Sequence, residues 1–291
     1  MTGSGFLAVA TTRETRPKSH NVPCSAAVMA YELVGVKKEE DGVVILSLKN
    51  PPVNALSTKL MTELEAVISE ISKDRTQRAV ILTGDGQYFC AGADLKEIAS
   101  KAADFLTEAP KIVETGQRVY RSFEHMPQPV IAAINGLAIG GGLEMALSCD
   151  IRICGETAKV GLPEVTLGLI PAYGGTQRLA RTVGPSKARE MIFTGGLISG
   201  KEAERIGLVN KVVPSGQELR AARDMAHTIA AKAAPLAISA AKKSLLQGYD
   251  MDIDQGLKGE AKAFLEVVGS EDLMEGIAAQ LERRPPKFAG K

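Results

Sequence analysis

Aromatic residues make up only 4% of the 291-residue chain, and 35 Lys and Arg stand against 34 Asp and Glu, a net charge of +1. A nucleic-acid surface needs clustered cations, with aromatic platforms where single strands bind, so this composition gives nucleic acid no support as a partner. Near-neutrality leaves no long-range field toward an anionic membrane either, although local basic patches remain open. No apolar run reaches the ~18 residues of a membrane span, since the candidate at 130–139 is stopped by Gly140. Cys24, Cys90, Cys149 and Cys154 form no C-x-x-C pair and follow no secretory leader, which fits reduced, buried thiols in an intracellular protein.

The chemistry-bearing motifs that are missing narrow the field further. His20, His125 and His227 are isolated in sequence, so the H-E-x-x-H pattern of zinc enzymes is absent and no metal is expected. A Ser-His-Asp triad has no G-x-S-x-G elbow to start from. Gly195-x4-Gly200-Lys201 imitates a phosphate-binding loop, but Glu202 stands where Ser or Thr must hold magnesium. A G-x-G-x-x-G reading at Gly84 fails because its third glycine falls on Phe89. A small molecule is the expected partner.

What is present begins with 45% hydrophobic residues, enough to bury a large core, arranged as a main domain with an appendage. Residues 1–28 are rich in Ser, Thr, Ala and Arg, carry one acid, Glu14, and show no periodicity. They read as a disordered leader or a targeting segment, or as residues upstream of a start at Met29. Val43–Leu48 is β-branched and bounded by Asp41-Gly42 and Asn50-Pro51-Pro52, a strand followed by a rigid turn. Ser57 can cap a helix whose Leu60, Leu64, Val67, Ile68 and Ile71 share one face.

Strands are expected at 79–83, 129–134 and 151–154, with helices opening near Leu95 and Gly142, so strands and helices alternate as in an α/β fold. After Pro185 the chain turns helical, and only 208–213 resembles a strand. Ser199-x-x-Glu202 and Ser215-x-x-Glu218 both fit a capping box. Further helices are expected at 236–247, Ile253–Val268 and 273–283, the last stopped by Pro285-Pro286. Their apolar faces suit packing on a neighbouring subunit or on the chain's own core, and periodicity does not separate the two.

Two loops carry the chemistry. Asn135-Gly136-Leu137-Ala138-Ile139-Gly140-Gly141-Gly142-Leu143-Glu144 leaves a strand, passes three glycines and enters a helix, where unpaired N–H groups can cradle an anion. Ala91-Gly92-Ala93-Asp94 repeats the device after another strand. If one amide of each loop aims at a single carbonyl, the pair forms an oxyanion hole, and Glu144 and Glu164 can move protons beside it. Taken singly, a GGG run also serves any tight strand-to-helix crossing, and a glutamate at a helix start is ordinarily a solvated acid.

At these residues the chain resembles the enoyl-CoA hydratase/isomerase (crotonase) superfamily, most of all its short-chain hydratases. The resemblance runs from about Met29 to the C-terminus, through Asn50-Pro51-Pro52-Val53-Asn54-Ala55-Leu56, residues 89–96, 129–150 and 162–171, Gly174-Gly175-Thr176-Gln177-Arg178-Leu179 and Glu282-Arg283-Arg284-Pro285-Pro286.

The resemblance implies an α/β fold built as a spiral of β-β-α turns over residues 29–200, followed by a mainly helical oligomerisation region over 201–291 that builds trimers or dimers of trimers. It implies that Ala93 and Gly141 supply the oxyanion-hole N–H groups, that Ala91, Asp94, Leu95 and Lys96 contact the coenzyme A substrate, and that Glu144 and Glu164 are the catalytic pair. The implied reaction is addition of water across the C2=C3 bond of trans-2-enoyl-CoA, with no cofactor because coenzyme A is part of the substrate. A Δ3-Δ2-enoyl-CoA isomerase and a methylglutaconyl-CoA hydratase are the enzymatic alternatives, and a non-catalytic or RNA-binding member of the superfamily is the alternative of another class. Pro171-Ala172-Tyr173 departs from the superfamily's frequent glycine after the proline, which leaves the acyl pocket's shape open. The enzyme is expected inside the cell, cytoplasmic in a bacterium and mitochondrial if the leader is a transit peptide.

Overall fold

Val43 and Ile45 point to one side of a sheet and Val44, Leu46 and Leu48 to the other, and both sets are buried. A strand apolar on both faces needs cover on both faces, which is the condition of a parallel sheet inside an α/β fold. The structure, a computed structural model, describes Met1 and residues 31–100 and 104–291, and the expectation for the leader at 1–28 otherwise falls outside the described residues.

Among the described residues the strands are β1 (Val34–Lys38), β2 (Val43–Leu48), β3 (Ala79–Gly84), β4 (Val130–Ile134), β5 (Ala138–Ile139), β6 (Ile151–Gly155), β7 (Lys159–Gly161), β8 (Ile198–Ser199) and β9 (Lys211–Val213). One sheet runs β1-β2-β3-β4-β6-β9, parallel throughout except that β1 is antiparallel to β2. A smaller sheet runs β5-β7-β8. The helices are α1 (Thr58–Lys73), α2 (Leu95–Ser100), α3 (Phe105–His125), α4 (Gly141–Leu147), α5 (Gly175–Val183), α6 (Pro185–Thr194), α7 (Gly200–Arg205), α8 (Glu218–Lys232), α9 (Pro235–Gly248), α10 (Ile253–Val268) and α11 (Glu271–Glu282).

The alternation sorts the core into two layers. Val44, Leu46, Leu48, Val80, Leu82, Val130, Ala132 and Ile134 face α1 and α3, whereas Val43, Ile45, Ile81, Ile131, Ala133 and Ile153 face Ala222 and Ala226 of α8. Ser57 caps α1 by accepting the Leu60 N–H, and Leu60, Leu64, Ile68 and Ile71 are fully enclosed. Each such side chain contributes roughly 1.5–3 kcal/mol of burial. Residues 31–291 cluster into one unit that holds both the expected spiral core and the expected helical region.

Several sequence expectations shift. Ser199 accepts the Glu202 N–H as a cap, yet Glu202 turns to Arg205 rather than back to Ser199. Ser215 does not cap α8. Its hydroxyl bonds Thr157, Gln217 precedes the helix, and the buried Glu218 carboxylate accepts the Gly216 N–H. The strand expected at 208–213 is confined to its last three residues, Lys211–Val213, because Leu208 and Val209 are buried in the turn after α7. His227, isolated in sequence, packs against Asp41 and Glu39, and Arg223 also holds Glu39 at 2.8 Å.

Near the C-terminus, α9 and α10 pack together, and Gly248 and Gly256 meet at their crossing. No helix among the described residues is long and apolar enough to cross a membrane.

Candidate active site

Because β3 and β4 are parallel neighbours, the loops that follow them leave the same edge of the sheet. These are the two loops singled out in the sequence, and they run side by side. The Cys90 N–H donates to Leu137 O at 3.0 Å and the Ile139 N–H to Cys90 O at 3.1 Å, a parallel bridge between Cys90 and Ala138. Gly92, at φ +83°, completes the approach: a Cβ there would lie 2.8 Å from Ile139 O and 3.2 Å from Gly141 N. Gly142 is equally constrained, since its Cβ would fall 2.2 Å from Cys90 O.

This contact sets two amides near each other. Ala93 pairs with Leu56 through its neighbours only, the Leu56 N–H donating to Gly92 O at 2.8 Å and the Asp94 N–H to Leu56 O at 3.4 Å. The Ala93 N–H therefore faces away from Leu56. Gly141 is the first residue of α4, where no intrahelical acceptor exists for an N–H. Among the described residues neither amide has an acceptor. The Gly141 carbonyl accepts the Tyr120 hydroxyl at 2.7 Å, which fixes the orientation of this turn from below.

Glu144 lies in the first turn of α4 and is 2% exposed. Its Oε1 accepts the Tyr173 N–H at 2.8 Å and the Gly175 N–H at 2.6 Å. Burial pushes its carboxyl up to about 7, the Gly175 and Tyr173 N–H groups pull it down, and the neighbouring Glu164 carboxylate pushes it up again. Glu164 opens the 3₁₀ turn Glu164–Leu167 after Pro163. Its Oε1 would stand 3.1 Å from a Cβ on Gly140, and its Oε2 is buried with no partner among the described residues. Burial raises its carboxyl above the usual range as well. The two glutamates are thus brought together against the triple-glycine turn, and neither is the solvated helix acid that each resembles alone.

The loop 171–175 that holds Glu144 is itself anchored. Arg178 donates from Nη1 to Tyr173 O at 2.7 Å and from Nε to Glu124 at 2.6 Å, and Gln117 donates to Ala172 O at 2.9 Å. The Tyr173 ring meets Tyr120 edge-on at 5.5 Å. Leu56, Met61, Ala93, Asp94, Ile98, Ile112 and Tyr173 line a cavity of about 170 Å³ between α2, α3 and the Ala93 amide.

Of the remaining expected residues, Asp94 lines this cavity, whereas Ala91, Leu95 and Lys96 do not. Asp94 accepts the Lys96 and Glu97 N–H groups at 3.0 and 3.2 Å, capping α2, and Leu95 and Lys96 are exposed beside it. The Ala91 N–H donates to Val53 O at 3.0 Å. Tyr120, Gly116 and Arg178 were not singled out in the sequence as site residues. A glycine in the middle of a long amphipathic helix was the available signal for Gly116, because it costs helix stability unless something needs the space.

The chain is 43% identical to the short-chain-enoyl-CoA hydratase of Clostridium acetobutylicum, over 87% of this chain and 97% of that one. It is 40% identical to the crotonyl-CoA hydratase of Syntrophomonas wolfei, over 90% of this chain and 100% of that one. Its fold superposes on the crystal structure of the enoyl-CoA hydratase from Bacillus anthracis with a TM-score of 0.85 at 41% identity, covering 89% of this chain and 100% of that one. With the family pattern for enoyl-CoA hydratase/isomerase matched across residues 38–291, the twin glycine loops and the sheet edge that carries them place this chain in the enoyl-CoA hydratase/isomerase family, with its crotonase fold.

Proposed function

We propose that the protein adds water reversibly across the C2=C3 bond of short trans-2-enoyl-CoA thioesters, giving 3-hydroxyacyl-CoA. The observation that carries this reading is the pairing of two mutually repelling carboxylates, the buried Glu144 and the half-buried Glu164, beside two amides that lack acceptors among the described residues.

In the mechanism, the thioester oxygen accepts the Ala93 and Gly141 N–H groups. Negative charge gathers on that oxygen as water attacks C3, and fixed amides stabilise it without reorganising. Glu144 acts as the base. Two N–H bonds to Oε1 hold its carboxylate, and it takes the proton of the attacking water. Glu164, whose Oε2 has no donor to stabilise a charge, carries the proton delivered to C2 as the enolate collapses. Proton exchange with solvent then restores the pair. A base near pH 7 is well matched to this work, since proton transfer is most efficient when the catalytic pKa lies close to the working pH.

Asp94, Leu95 and Lys96 border the entrance where the coenzyme A moiety lies, with Ala91 behind them. Coenzyme A comes with the substrate, and the reaction as written uses no cofactor. Leu245, Phe264, Leu265, Met274 and Leu281 are 65–79% exposed on α9–α11, which supports burial of these helices in a trimer or a dimer of trimers. The enzyme works inside the cell, in the cytoplasm of a bacterium or in mitochondria if residues 1–28 act as an import signal.

The decisive experiment follows crotonyl-CoA absorbance with the purified protein and with Glu144→Gln and Glu164→Gln. Hydration by the unaltered protein and loss of about 10²–10⁴-fold in each variant is expected. A protein that moves the double bond of a 3-enoyl-CoA yet leaves crotonyl-CoA untouched would be an isomerase instead.

A further inference from the structure

We propose that the Tyr173 ring, wedged between the Gly141 turn and Gly116 of α3, limits the acyl chain that this site accepts to a few carbons beyond the reacting double bond. The inference rests on the hydratase reading and names the residue that sets its substrate class.

Four observations meet at this ring. Gly116 lies in the middle of α3, a position where glycine is poorer than alanine for the helix. A Cβ at 116 would lie 2.3, 2.4 and 2.6 Å from Cδ1, Cε1 and Cγ of Tyr173, so the ring occupies the space that any side chain there would fill. The opposite edge of the ring reaches the second amide loop, where a Cβ on Gly141 would stand 3.5 Å from Tyr173 Cδ2. Tyr120 packs edge-on against the ring at 5.5 Å with an interplanar angle of 88°. The ring is therefore held at both edges and by an aromatic neighbour, and it does not swing freely.

Its position relative to the reacting atoms follows from the backbone. The Tyr173 N–H bonds Glu144 at 2.8 Å, so the side chain starts one residue's reach from the carboxylate that activates water. The same side chain lines the cavity that opens at the Ala93 amide. A thioester held at Ala93 and Gly141 must then run its alkyl tail along this ring. At about 170 Å³ the cavity is well below the ~300 Å³ at which pockets for drug-sized ligands begin. The Tyr173 hydroxyl has no hydrogen-bond partner among the described residues, so the ring's bulk rather than a polar contact is what the chain meets.

The test compares kcat/KM for crotonyl-, hexenoyl- and decenoyl-CoA in the full-length protein and in Tyr173→Ala, Tyr173→Leu, Tyr173→Phe and Gly116→Ala, with folding checked by circular dichroism. Tyr173→Ala and Tyr173→Leu keep the backbone N–H to Glu144 and open the cavity, so the decenoyl-to-crotonyl ratio rises by about tenfold or more, the scale on which pockets sense single methylenes. Tyr173→Phe keeps the ratio of the unaltered enzyme. Gly116→Ala pushes the ring into the cavity, and hexenoyl-CoA is lost before crotonyl-CoA. If Tyr173→Ala does not fold, Tyr173→Leu and Gly116→Ala decide. Hydration of crotonyl-CoA with ratios unchanged within about twofold in every folded variant, on the same scale of pocket discrimination, overturns this inference alone. Absence of hydration by the unaltered enzyme overturns the assigned reaction and this inference with it.

Discussion

The Gly175 N–H stands 2.6 Å from Glu144 Oε1, and with the Tyr173 N–H at 2.8 Å it fixes one carboxylate oxygen before any substrate arrives. The acid is oriented by backbone donors, and in the proposed mechanism its other oxygen meets the attacking water.

The first expectation concerns pH. Burial and the Glu164 charge hold the Glu144 carboxyl at about 7 against an ordinary 4.5, so the base form is lost as pH falls through about 7. A plot of kcat/KM for crotonyl-CoA against pH should show an acidic limb there, belonging to the coupled pair rather than to one residue. Stability carries the opposite sign. A native carboxyl raised above its unfolded value holds an extra proton between about 4.5 and about 7, so it costs stability progressively as pH rises through that window. Glu144→Gln, which keeps an acceptor for both N–H groups, should therefore melt higher than the unaltered protein at pH 8 and gain less at pH 5. Equal gains at both pH values would contradict the shift.

Arg178 works on the same group from behind. Its charge lowers the Glu144 carboxyl, and its Nη1 fixes Tyr173 O at 2.7 Å. Arg178→Met should move the acidic limb to higher pH and loosen the loop, and Arg178→Lys should restore the charge without the fork to Glu124 and Tyr173. A profile that stays in place in both variants would assign Arg178 to scaffold alone.

A methyl group on Gly142 tests the loop contact. With Cβ only 2.2 Å from Cys90 O, Gly142→Ala must push the two loops apart. Loss of one well-placed oxyanion donor costs about 10²–10³-fold in kcat. Steady-state rates should show that fall with KM for crotonyl-CoA changing little. A drop confined to KM would mean that the loops do not act on the transition state.

The acid content of the cavity wall predicts discrimination by charge. Among the described residues, Asp94 and Glu108 bring two carboxylates to its lining and Lys111 one ammonium. Methylglutaconyl-CoA, with a free carboxylate on its acyl group, should be hydrated more slowly than crotonyl-CoA, and the gap should narrow as salt screens the wall. Comparable rates at low salt would remove the charge argument.

Much of this was legible in the chain, for reasons that differ by element. Ile253–Val268 is the helix expected from its periodicity because Asp252 caps it locally, by accepting the Gln255 N–H. Val43–Leu48 was legible because burial on both faces leaves an apolar run broken only at the half-buried Ser47. Ser215 misled because the same four-residue pattern is satisfied by a tertiary contact to Thr157. The two-residue strands β5 and β8 exist only through partners far along the chain, so no local signal marks them. Glu144 and Glu164 could be nominated by type and position, yet their mutual repulsion and the orphaned Oε2 appear only once the fold joins them. Gly116 showed in the sequence only as a glycine inside a helix, since its meaning lies in a tyrosine that the fold brings over from a different segment.

The bridge between Cys90 and Ala138 has one consequence for how such a site can change over time. The proposed charge-holding groups belong to the main chain, so a new side chain at 93 alters shape around its donor without deleting it, unless the newcomer is proline. Outside the glycines that the loop contact demands, Gly92 and Gly142, heredity can therefore exchange residues near the thioester while the proposed ability to bear an enolate survives, and new acyl groups become reachable without first losing the old chemistry.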